Sequence, residues 1–306
     1  MKYLSTKEMA HQWNINDRRV RVLCEEGRVE GAFKVGKTWM IAEDASKPYD
    51  ARQTVKKEYK GLSFNFAKID KLKQEIDNRR PLSINTAKSL QAKLIVEWTY
   101  HSNAIEGNTL TLSETKVVLE GITIGGKSVI EHLEAINHKE AIEWIETLIN
   151  KKSNLTESAL KNIHQIILKD IDDVNAGKYR SENVTISGAI HIPPQHLLLP
   201  ELMQKLMAEY EKEWIEYHPV IRACLLHGEF VKIHPFIDGN GRTARLLLNF
   251  ELMKYGYPPI IVTKERRAEY YEALDIAHTT LDYSKFIQLI ADFLVDSESL
   301  WLRIIQ

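Results

Sequence analysis

From about residue 84 onward the chain is punctuated as a series of helices, and little else fits that spacing. Residues 86–106 read as one helix, stopped by Gly107-Asn108. Thr111-x-x-Glu114 and Ser128-x-x-Glu131 are capping-box patterns, each opening a helix. Thr156 precedes another, and Pro200 suits the first position of the next. A further helix runs from Pro219 to about Ile233. The residue before a proline is pushed out of the α region, so His234-Pro235 ends it. A new helix starts near Gly241 and stops before Gly256, and two more follow near 265–279 and 283–304. One stretch departs from this period. Residues 178–192 alternate, with Val184, Ile186, Ile190 and Ile192 around Ser187-Gly188, which predicts a β-hairpin.

The first 48 residues have a pattern of their own. A helix over 5–12, a short turn, a helix over 16–26 closed by Gly27, and two short strands around Gly36-Lys37 give the layout of a small winged helix-turn-helix. That block resembles the excisionase/MerR-like modules. Arg18, Arg19, Arg21 and Arg28 crowd its second helix, yet nine basic against seven acidic side chains leave only +2, a weak footprint for DNA. Residues 49–83 read as a charged connector with a short helix near 65–78. The fold expected is mainly α, with a helical body over 84–306 behind the small N-terminal module. Over the whole chain 42 acidic residues nearly cancel 41 basic ones, so no overall field points at nucleic acid or a membrane surface. Cys24 and Cys224 lack metal-ligand spacing and fit a reducing compartment. With no apolar leader and no run of ~18 apolar residues, the expectation is a cytoplasmic chain without a membrane partner.

The informative segment is His234-Pro-Phe-Ile-Asp238-Gly239-Asn240-Gly241-Arg242-Thr-Ala-Arg245. Gly-Asn-Gly before a helix can aim several backbone N–H groups at one point, and the helix N-terminus adds partial positive charge. Arg242 and Arg245 share one face of the first turn, where two cations oppose the dipole. An anion bound there makes sense of that arrangement. Asp238 offers a hard oxygen suited to Mg²⁺, and His234 can take a proton near neutral pH. Together these parts can hold a Mg-nucleotide and deprotonate an attacking hydroxyl.

This segment closely resembles the Fic-family signature and departs from it nowhere. The resemblance extends over about residues 60–300 and implies a Fic-type helical bundle. It implies that His234 is the base that activates a target hydroxyl. Asp238 then holds Mg²⁺, Gly239, Asn240 and Gly241 form an anion hole, and Arg242 and Arg245 contact ATP phosphates. AMP passes from ATP to a Ser, Thr or Tyr hydroxyl of a target protein. Residues 178–192 match the family's flap, which aligns the target segment by strand addition. Residues 265–274 resemble the part that helps enclose adenine, with Tyr270 and Tyr271 as candidates. Further upstream, Ser102-Asn-Ala-Ile-Glu106-Gly107 resembles the family's inhibitory motif. By that resemblance Glu106 pairs with Arg245 and blocks the productive γ-phosphate position, Ser102 supports it, and reverse removal of AMP stays open.

Two other patterns compete. Gly121-x4-Gly126-Lys127-Ser128 fits a phosphate loop letter for letter, but such a loop needs a buried strand before it. SETKVVLE is helical instead, so 125–126 reads as an interhelix turn with Ser128 as a cap. His218 and His227 match no zinc spacing and read as structural. The alternative function is a transcriptional regulator that binds DNA through residues 1–48 and senses nucleotide through the Fic-like part.

Overall fold

A computed structural model of the chain describes residues 2–13, 15–48 and 58–305. The N-terminal unit runs β1 (Tyr3–Ser5), α1 (Thr6–Trp13), α2 (Asp17–Glu25), β2 (Phe33–Val35) and β3 (Thr38–Ala42). The two helices and the hairpin lie where the sequence puts them. β1 is an addition, pairing antiparallel with β3 to give the strand order β1-β3-β2. Asn16 caps α2 by accepting from Arg19 N. Met9, Trp13, Val20, Leu23 and Ile41 close a small core separate from the rest.

The body is helical: α3 (Ala67–Asp77), α4 (Ile84–Ile105), α5 (Leu112–Leu119), α6 (Val129–Asn150), α7 (Glu157–Leu168), α8 (Leu199–Ala208), α9 (Pro219–Ile233), α10 (Asn240–Lys254), α11 (Arg267–Thr280) and α12 (Ser284–Ile304). At its centre α9 and α10 pack on each other. Nearly every side chain of both is buried, including Leu225, Leu226 and Phe230 on one and Leu246, Leu247 and Phe250 on the other. Helices buried on nearly every side, polar residues included, have to lie inside other helices. Here α6 and α7 cover α10, while α8, α11 and α12 cover α9. The turn between α9 and α10 is therefore fixed at both ends by the core. It carries His234 to Gly239.

The structure corrects two expectations. The connector, of which 49–57 lie outside the described residues, joins the body from residue 58 on. Lys60 pairs with the 281–283 backbone, Tyr59 packs edge-on against Trp214 and Tyr283, and α3 lies on α12. Charge hides the reason. Phe66, Ile69 and Ile76 are buried along one face of an otherwise polar segment. The expected hairpin at 178–192 keeps its turn, where Ala189 N donates to Ile186 O, but forms no ladder. Its backbone bonds side chains of the body instead, Ile190 N and His191 N both donating to Asp275. Among the described residues no helix is long and apolar enough to cross a membrane.

Candidate active site

His234 caps the C-terminus of α9 in the left-handed region (φ 51°), its N–H donating to Phe230 O. Pro235 disfavours the right-handed helix at this position, which selects that conformation. The imidazole is held well below its usual range, at about 4, first by burial and then by the charge of Arg180. It is therefore neutral at neutral pH and able to accept a proton.

Two side chains that the sequence reading did not single out build the loop. Arg180, almost fully buried, spends its guanidinium on carbonyls of His234 (2.9 Å), Glu182 (2.7 Å) and Pro194 (2.5 Å). It ties both arms of the flap segment to the His-Pro turn. His164 stacks on Phe236, ring centroids 3.6 Å apart. Its Nδ1 accepts from Gly177 N at 2.9 Å, which leaves Nε2–H to donate to Asp238 O at 2.8 Å. Burial lowers its pKa to about 4, so it stays in that neutral tautomer. A Cβ on Gly239 (φ 75°) would lie 3.2 Å from His164 Nε2, so backbone conformation and close approach both favour glycine. The signal available in the sequence was only a histidine and an arginine in ordinary positions.

The remaining signature residues fall into place around α10. Asp238 stands at the mouth with its side chain 68% exposed, Oδ1 accepting from Gly239 N and Oδ2 from Arg242. The buried side chain of Asn240 clamps the N–H and C=O of Phe236. What the residue offers a ligand is backbone. α10 has no side-chain N-cap, and its first N–H groups have no partner within the helix. Arg242 Nη1 donates to Glu134 at 2.8 Å and Nη2 to Asp238 at 3.1 Å, a commitment to carboxylates on both sides.

Arg245 stands at the centre of the contact between α10 and the end of α4. Its Nε donates to Ser102 Oγ (3.0 Å), and Nη2 donates both to Ser102 O and to Glu106 Oε1 (2.7 Å each). Burial works against the charge, but Glu106 with Tyr270 and Tyr271 together outweighs it, and the arginine stays ionised. Ser102 thus touches Arg245 directly. Gly241 lies under the Glu106 carboxylate, and a Cβ there would collide with it.

The tyrosines separate. Tyr270 is buried with its hydroxyl on His227 Nε2, whereas Tyr271 is 39% exposed under Arg267. His218 caps α9 and stacks on Phe66, a structural use. Lys127 lies apart from the site, with its amine on Thr109 and near Glu114, and Ser128 caps α6. No group of three or more His, Cys, Asp or Glu forms a metal cage among the described residues. One exposed carboxylate beside an anion pocket still fits Mg²⁺ that arrives with phosphates, since this ion usually keeps waters and few protein ligands.

Comparison with known proteins gives a consistent result. The Fic/DOC family model matches residues 154–252. A protein adenylyltransferase Fic of Culex quinquefasciatus is 37% identical over 235 residues, 74% of this chain and 45% of that one. One of Nematostella vectensis is 42% identical over 200 residues, 63% of this chain and 45% of that one. The chain thus spans less than half the length of these curated relatives. A solved Fic-domain signaling protein of Bacteroides thetaiotaomicron superposes with a TM-score of 0.71 at 32% identity, covering 78% of this chain and 97% of that one. Fic-1 of C. elegans superposes at 0.69 and 30% identity, covering 77% and 71%.

Proposed function

Because the chain belongs to the Fic/DOC family, we propose that it transfers AMP from ATP to a hydroxyl of a target protein and is restrained by Glu106. The observation that carries the proposal is the neutral His234 beside an uncapped helix N-terminus whose second arginine is held by Glu106. The triphosphate lies against the first N–H groups of α10, where the helix dipole favours anions. Arg245 takes a phosphate once Glu106 withdraws, and Arg242 braces Asp238. Asp238 is the residue that would hold Mg²⁺, which neutralises phosphate charge when bound. His234 takes the proton of the target hydroxyl as its oxygen bonds the α-phosphorus. The bond from that phosphorus to the bridging oxygen breaks, and pyrophosphate leaves with the electron pair. Ile190 and Ile192 on the flap, which pairs with no strand, offer exposed apolar side chains to an extended target segment.

The test is transfer of label from α-labelled Mg-ATP to lysate proteins by Glu106→Gly, with and without His234→Ala. Loss of the base is expected to cost ~10²–10⁴-fold while ATP still binds. Equal labelling by the two variants overturns the assignment of His234.

A further inference from the structure

The two signature arginines are each met by a carboxylate from another helix, Arg245 by Glu106 and Arg242 by Glu134. Only the first has a place in the reading so far. Glu134 lies on α6, and its two oxygens serve different partners. Oε1 accepts from Arg242 at 2.8 Å, and Oε2 accepts from Asn108 Nδ2 at 2.8 Å. Its backbone carbonyl also accepts from Asn103 at 3.2 Å. Asn103 and Asn108 flank Glu106, one on the last turn of α4 and one just beyond it. Asn108 further donates to Glu131 O, and Glu131 accepts from the N–H and hydroxyl of Thr109. The turn carrying Glu106 is therefore docked onto α6 through Glu131 and Glu134 together.

We infer that Glu134 is a positioning residue with two arms: one aims Arg242 at Asp238, and the other holds the turn that carries Glu106 over Arg245. The inference rests on the reading of this pocket as the AMP-transfer site and adds to it a residue acting on both catalysis and restraint. The Arg242 guanidinium is almost wholly buried and bridges two carboxylates. Charge-assisted bonds of this kind are strong and directional. Without Glu134 the guanidinium keeps Asp238 alone, and Asp238 is mostly exposed, so it cannot fix the arginine by itself. On the other side, loss of the acceptor for Asn108 loosens a turn whose only task toward Arg245 is to present one carboxylate.

The two arms have opposite effects on rate, and this separates them. Asn108→Ala breaks the turn arm, together with the bonds to Glu131 O and Leu110 N, and leaves the Arg242 arm in place. In the otherwise wild-type chain it is expected to speed amide exchange over residues 103–110 and raise initial transfer several-fold. In the Glu106→Gly chain, where no carboxylate is left to present, it should leave transfer and Mg-ATP affinity within about twofold. Glu134→Ala breaks both arms. It should speed the same exchange, and in the Glu106→Gly chain weaken Mg-ATP binding about tenfold by calorimetry. Glu134→Gln keeps the packing and one acceptor, serves where the alanine variant does not fold, and should fall between. Unchanged exchange over 103–110 in Glu134→Ala overturns the turn arm, whatever Asn108→Ala does, because Asn108 also bonds Glu131 O and Leu110 N. Unchanged or tighter Mg-ATP binding by Glu134→Ala overturns the Arg242 arm, because it makes Glu134 a mere anionic neighbour of the phosphates. A Glu106→Gly parent that binds Mg-ATP without transferring AMP would sink the functional reading, yet the exchange and calorimetry still decide the inference.

Discussion

Two helices of this protein have two glycines and a cation at their starts, and they behave in opposite ways. α6 follows Gly125-Gly126-Lys127-Ser128, and α10 follows Asp238-Gly239 and opens with Asn240-Gly241-Arg242. At α6 the helix satisfies its own start. Ser128 Oγ accepts from Glu131 N, the Glu131 carboxylate accepts from Ser128 N, and the Lys127 amine is held by Thr109. At α10 no side chain caps the first turn, and the asparagine that might have done so clamps Phe236 instead. A capped N-terminus has used its donors and is closed to an anion. An uncapped one keeps its donors and its dipole for a ligand. The glycine pattern alone does not distinguish them; the fate of the polar side chains does.

The largest effect is expected at the open end. Glu106→Gly should raise initial AMP transfer at saturating Mg-ATP by at least about tenfold, since a restraint of ~1.4 kcal/mol already amounts to that. Arg245→Ala should not mimic it, because the same guanidinium is needed by the triphosphate. The double variant should resemble Arg245→Ala. Removing one partner of a buried pair normally leaves an uncompensated charge. Here a phosphate can take the place of Glu106, so the change appears as activity rather than as lost fold. Equal rates for wild type and Glu106→Gly on a competent target would remove the restraint.

A smaller effect concerns pH. His234 must be neutral to act as base, and its pKa is lowered from 6.5 to about 4. Transfer by Glu106→Gly should therefore stay nearly flat from pH 8 down to about 5. An unshifted imidazole would already lose more than half its neutral form below pH 6.5. A rate that halves near pH 6.5, in protein shown folded by circular dichroism, would mean that His234 is solvated in solution.

What could be read from the sequence follows the range of the interactions. The helix starts at Thr111, Ser128 and Thr156 are local, and each forms the cap its letters specify. The loop from His234 to Arg245 is also local, so its parts could be assembled from spacing. The pairing of Glu106 with Arg245 spans most of the helical body and was legible only through the inhibitory motif. Arg180, His164 and Glu134 left no mark, because their partners are backbone carbonyls or side chains brought close only by the fold. The flap shows the converse. Its alternation is that of a strand, but a period of two does not say whether the backbone donors find another strand or, as here, Asp275.

The smallest effects belong to α6, and they test the comparison from its closed side. If the phosphate-loop lookalike is only a capped helix start, its residues matter to local stability and not to nucleotide. Ser128→Ala removes the cap and should cost about 1 kcal/mol in denaturant unfolding. Lys127→Ala removes an amine that lies on the Thr109 carbonyl and 3.6 Å from Glu114. A contact of this type near the surface is worth roughly 0–1 kcal/mol. Both substitutions are best made in the Glu106→Gly chain, because Thr109 lies close to the turn that carries Glu106, and a change of the proposed restraint would otherwise mix with a change of binding. In that background Mg-ATP affinity should stay within about twofold of the parent, less than one ordinary hydrogen bond is worth. A folded Lys127→Ala protein that no longer binds nucleotide would place a phosphate at α6 after all and undo the distinction between the two helix starts.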